Sequence, residues 1–179
     1  MSRPQIGDNI HGDEILLPVP AVLVALTLLA ALLLDLVPTG PWTRHVWPDA
    51  VALLLVYWGV YQPHRLGLWP AFALGLLLDV HDASLFGQHA LAWVTLTWAA
   101  MSLHRRIRML RMAHQVMHVA ALLVGAQLVN IAVQLAAGGD APGFAPFTSS
   151  LIGAALWPPL ASAMKLPLRP RANPDAARS

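Results

Sequence analysis

The sequence predicts an all-α membrane protein, a compact bundle of six transmembrane helices. Three observations carry this: apolar runs as long as a bilayer is thick, a scarcity of charge, and arginines concentrated between alternate runs. Of the 179 residues, 57% are hydrophobic and 11% charged. Soluble domains carry about 25% charged residues, and a soluble fold of this size lacks the interior to hide so many Leu, Val and Ala side chains. Cysteine is absent, which excludes disulfides and thiolate metal sites. The formal charge is only +2, with the basic residues between apolar runs, so they read as orientation signals and not as a nucleic-acid surface.

One membrane domain, 16–164, is expected, after a cytoplasmic N-terminal segment, 1–15, and before a cytoplasmic disordered tail, 165–179. A spanning helix needs roughly 20 largely apolar residues. The run 16–37 meets this, with Pro18 and Pro20 in its first turns, where a missing amide donor costs little. It is longer than a signal-peptide core of about 7–15 residues. Pro38-Thr39-Gly40-Pro41 ends it, and Trp42 and Trp47 stand where interfacial aromatics belong. The second helix, 48–62, has Asp49 to cap its first amides and stops at Pro63-His64-Arg65.

The stretch 66–103 is too long for one span and just long enough for two. It divides near 79–88 into two short helices and a tight turn, and the basic cluster 104–111 follows. A fifth helix covers 112–137, and the glycine-rich stretch 138–143 breaks it. The sixth covers 147–164, with Pro158-Pro159 distorting its later half.

Lys and Arg accumulate in cytoplasmic loops, which tests this layout independently. With six spans and both termini cytoplasmic, the inner side holds Arg3, Arg65, Arg105, Arg106, Arg108, Arg111, Lys165, Arg169, Arg171 and Arg178. Arg44 alone of the eleven falls outside. Dropping one span would put either the 105–111 cluster or the tail on the wrong side.

Asp79 is the most informative single residue, because an ionised carboxylate at mid-bilayer costs about 2.5–3.5 kcal/mol and needs a partner. Ala71, Gly75 and Asp79 recur at i, i+4, i+8 and share a helix face, where small residues let another backbone approach. A structural hydrogen bond closing the helix pair is favoured over a proton relay, for which Asp35 is the sole second carboxylate. His81, Asp82 and His89 flank the same turn but match no metal-ligand spacing. His114 and His118 are one turn apart, yet Gln115 stands where a zinc-protease helix needs its glutamate.

Gln127, Asn130 and Gln134 form an amide stripe on the fifth helix, and Ser149 and Gly153 a small-residue pair on the sixth. The Arg105-Arg106 cluster suits anionic lipid headgroups or a cytoplasmic partner. No phosphate loop, nucleophile elbow, dinucleotide fingerprint or acid/base carboxylate pair is present. No catalytic residue, cofactor or metal is therefore expected, and the chain reads as a scaffold.

Trp47-Pro48, then Tyr57-Trp58, then Pro63-His64-Arg65 resembles the start of the rod shape-determining protein MreD family. Gly75-Leu76-Leu77-Leu78-Asp79, followed by Leu85-Phe86-Gly87-Gln88-His89-Ala90-Leu91, is similar to that family's central signature, G-x-x-x-D, a short turn, then L-G-x-x-A-L. Phe86 intervenes between leucine and glycine, and Ala83-Ser84 stands where relatives commonly carry glycine. The likeness is specific over 47–103 and generic elsewhere.

It implies a non-catalytic scaffold of the bacterial cell-wall elongation machinery in the inner membrane. The scaffold would bind MreC, and through it reach the MreB cytoskeleton and the elongation glycosyltransferase/transpeptidase pair. It also implies a fold similar to the substrate-binding subunits of energy-coupling-factor transporters, with a pocket near 80–88 on the outer face. A substrate-binding membrane subunit of a small-molecule (vitamin) transporter is the alternative. Tyr57, Trp58, Pro63, His64, Arg65, Gly75, Asp79, Gly87, Gln88, Arg105, Arg106, Gln127, Asn130 and Gln134 are the structural or partner-binding candidates.

Overall fold

A computed structural model describes residues 20–37, 47–140 and 143–165. The expectations for 1–15, for the stop at 38–41, for Trp42 and Arg44, and for the tail beyond 165 lie outside the described residues. Among those described there are eight α-helices and no strand. They are α1 (Ala21–Asp35), α2 (Ala50–Tyr61), α3 (Pro63–Leu66), α4 (Trp69–His81), α5 (Gln88–Met109), α6 (Met112–Ala136), α7 (Ala145–Ala155) and α8 (Trp157–Lys165).

The all-α class follows, but six long helices do not. Only α6, with 25 residues, is both long and apolar enough by itself to cross a bilayer among the described residues. Helices α1, α2 and α4 are apolar but shorter. The 12 residues of α2 rise about 18 Å, against a hydrocarbon core of about 30 Å. Burial explains why so short a helix is sustained: every residue from 51 to 60 is buried. A helix that is apolar all round is a core helix; α1, α3, α5, α6 and α7 pack on α2, while α4 packs on α5. The solvent of α2 is protein, so bilayer thickness does not set its length.

The other helices bury one stripe each. On α1 this is Val24, Leu28, Ala31 and Leu32, while Val22, Leu26, Leu29 and Leu33 are exposed. On α6 it is Gln115, Val119, Leu123, Ala126 and Asn130, spaced by three and four. Exposed leucines opposite a buried stripe are what lipid-facing helices present.

One further boundary falls where expected, with an added turn, and two differ. Gln62 ends α2, and the single turn α3 follows, with Pro63 at its first position, where no amide donor is needed. Helix α5 continues through Arg105, Arg106 and Arg108 to Met109, so most of the basic cluster is helical rather than a loop. Basic groups in a last turn also complement the helix dipole. The expected sixth helix is two, meeting at Leu156. Pro158 and Pro159 fall in the first turn of α8, where a proline costs little, so the chain restarts there instead of bending.

Candidate functional site

The α4–α5 connection is closed by one carboxylate. Asp79 is 1% exposed and accepts four hydrogen bonds. Its Oδ1 takes the Ser84 hydroxyl at 3.0 Å, the His89 amide at 2.9 Å and His89 Nδ1 at 2.8 Å; Oδ2 takes the Gly87 amide at 2.8 Å. A carboxylate only accepts, so the His89 proton sits on Nδ1. The backbone of the turn makes this convergence possible. Ala83 (φ 50°) and Gly87 (φ 95°) both take the left-handed conformation that reverses the chain.

Gly75, one turn before Asp79, allows the two helices to touch. A Cβ there would lie 2.4 Å from Ala90 Cα. The Gly-x-x-x-Asp and Gly-Gln-His-Ala segments are thus two halves of one joint, with Gly75 against Ala90 and Asp79 on the Gly87 and His89 amides.

A second carboxylate pair saturates the start of α2. The four leading amides of a helix have no partner inside it. Here Ala50 donates to Asp35 Oδ1 at 3.1 Å, Val51 to Asp35 Oδ2 at 2.9 Å, Ala52 to Asp49 Oδ1 at 2.7 Å and Leu53 to the Asp49 carbonyl at 3.1 Å. The leading amides at 50–52 are thus held by side chains, and Leu53 makes the first ordinary bond of the helix. Trp93 of α5 donates its indole N–H to Asp49 Oδ2 at 3.0 Å and ties this terminus to a third helix. The cap at Asp49 was legible in sequence. Asp35 was not: its partners lie fifteen and sixteen residues on.

These two joints border an open cavity of about 900 Å³. Four of the sequence-derived candidates line it: Gln88, Gln127, Asn130 and Gln134. Asp35, Asp49, Asp82, His81 and His89 line it too, while Asp79 is sealed behind the wall. Asn130 is 8% exposed and its Oδ1 has no hydrogen-bond partner among the described residues. Among the described residues, no three His, Asp or Glu side chains come together as metal ligands.

The remaining candidates lie elsewhere. Tyr57 and Trp58 are fully buried in α2; Trp58 donates to Thr27 Oγ1 at 3.0 Å, and Tyr57 packs on Trp58, Tyr61 and Trp157. Pro63, His64 and Arg65 form α3 at the opposite end of α2 from the cavity, and Arg65, Arg105, Arg106, Arg108 and Arg111 are all exposed. Gln115, passed over in sequence because it is not a glutamate, is a buried clasp. It donates to the Leu110 carbonyl at 3.0 Å and accepts from Trp157 Nε1 at 3.2 Å, joining the α5–α6 turn to α8.

Charge is therefore segregated along the bundle. Among the described residues, Asp35, Asp49, Asp79, Asp82 and Asp140 lie at the cavity end, and Arg65, Arg105, Arg106, Arg108 and Arg111 at the other, where α8 also ends in Lys165.

The family model described as rod shape-determining protein MreD matches residues 18–166. No solved structure matches the chain.

Proposed function

The chain belongs to the rod shape-determining protein MreD family, and from that premise we propose that it is a non-catalytic membrane scaffold of the cell-wall elongation machinery, binding MreC. The family match, over most of the chain, carries this reading. Members of the family are membrane proteins that act in rod-shape determination as structural components. Through MreC the scaffold reaches the MreB cytoskeleton and the elongation glycosyltransferase/transpeptidase pair.

In this reading the chain crosses the inner membrane six times, by α1, α2 with α3, α4, α5, α6 and the α7–α8 pair. Both termini are cytoplasmic. The charge segregation supports that orientation, since basic residues mark the cytoplasmic side. It makes the arginine end the surface for cytoplasmic contacts and anionic headgroups, and the cavity end the outer one. The joints at Asp79 and at Asp35–Asp49 serve as structure, holding short helices in register so that the exposed faces keep a fixed shape.

Two experiments test the proposal. Depletion in the native host should round the cells, and mild-detergent purification from native membranes should bring MreC along. Rod-shaped growth after deletion would sink it. For orientation, a reporter fused after residue 111 should be active in the cytoplasm; activity confined to the periplasm would reverse the layout.

A further inference from the structure

The cavity has no part in the scaffold reading, and its wall is chemically unbalanced. Asp35, Asp49 and Asp82 line it, and no Lys or Arg among the described residues does. Helix starts at such a place ordinarily attract an anion. Here the start of α2 is already held by Asp35 and Asp49, and that of α5 by Asp79. What is left facing the space is acceptor capacity. A carboxylate offers about four acceptor positions, and the side chains of Asp35 and Asp49 each receive two of the bonds described above.

Asn130 adds an independent sign. It lies in the cavity wall, more than nine-tenths buried, with an acceptor oxygen that nothing among the described residues satisfies. Buried acceptors are ordinarily satisfied, by protein, by ordered water or by a bound group. Gln127 and Gln134 flank it one turn away on the same wall and adapt to donor or acceptor alike.

We propose that this cavity binds an organic primary ammonium group, its N–H donors shared between Asn130 Oδ1 and the wall carboxylates. A primary ammonium has three donors on a compact charge and no acceptor, the complement of this wall. The absence of a three-ligand cluster among the described residues sets the cavity apart from a divalent-metal site. It is open, with Trp47 and Leu85 in its lining, so a small soluble amine or the headgroup of an aminophospholipid can reach it.

The test uses the full chain in nanodiscs of phosphatidylcholine and phosphatidylglycerol, titrated with ethanolamine. Choline, which carries the charge without an N–H donor, is the control. Ethanolamine should raise the unfolding temperature and shift tryptophan fluorescence, through Trp47 in the wall and Trp93 on Asp49, and choline should do neither. Asn130→Leu and Asp82→Asn, which leave both helix caps intact, should each weaken the ethanolamine response roughly tenfold.

A second arm replaces phosphatidylcholine with phosphatidylethanolamine. A shift confined to this arm and lost in Asn130→Leu identifies a headgroup as the source and supports the site. Equal responses to choline and ethanolamine overturn the proposal. So does an undiminished response in both variants, or no response in either arm from protein with native circular dichroism. None of these readings depends on cell shape, so the site and the scaffold role stand or fall separately.

Discussion

The two ends of the bundle handle charge in opposite ways. At one end the carboxylates of Asp35, Asp49 and Asp79 turn inward and hold backbone amides, indole and imidazole, so each is fixed by several donors. At the other, Arg65, Arg105, Arg106, Arg108 and Arg111 are exposed. Buried charge is tolerated only with hydrogen-bonding partners, whereas exposed charge contributes little to folding and is free to orient the chain or meet a partner. The acidic end is therefore built for shape, and in the proposed reading the basic end is left for contact.

That contrast makes substitutions at the acidic end costly in stability. Asp79→Leu should have the largest effect, because it strands the Gly87 and His89 amides in a sealed interior; about 3–5 kcal/mol is expected, the range for breaking a buried charge network. Unfolding in detergent and abundance in the membrane should both fall, with Asp79→Asn milder because it still accepts. If Leu and wild type unfold alike, the joint is not what holds the turn.

Gly75→Val comes next, since the new side chain meets Ala90 backbone, at about 1–3 kcal/mol for overpacking. A cross-link between α4 and α5 that still forms at the wild-type rate would contradict it. Asp35→Ala removes acceptors from two α2 amides and should cost about 1–2 kcal/mol, in the range of a lost cap; amide exchange at Ala50 and Val51 reports it directly.

One substitution at this end should improve stability. Ala83→Gly removes the strain of a left-handed alanine, adding about 1 kcal/mol, visible as a higher unfolding temperature. At the opposite end, Arg105→Gln with Arg106→Gln should leave stability within about 0.5 kcal/mol of wild type, yet reduce MreC recovery or disturb orientation. A large loss of stability in that pair would erase the distinction between the ends.

Much of this arrangement is legible in the chain because hydropathy and charge are local properties. The apolar runs, the cap at Asp49, the turn between Asp79 and Gln88 and the side on which arginines gather all follow from residue type and spacing. Helix lengths do not, since α2 is short for a reason outside itself: its neighbours replace lipid on every face. The division between α7 and α8 at Leu156 was signalled by Pro158-Pro159, but whether two prolines bend a helix or restart it depends on what the second half packs against, here Gln115 through Trp157.

Sequence alone determined the all-α class, the membrane as solvent and the family signature, because each rests on the free energy of placing a residue type in hydrocarbon or water. Tertiary structure decided which carboxylate serves which helix, and that Asp35, Asp82, Gln88, Gln127, Asn130 and Gln134 share one cavity wall. Those residues come from four separate segments. They become neighbours only when the helices converge, a relation that no window along the chain contains.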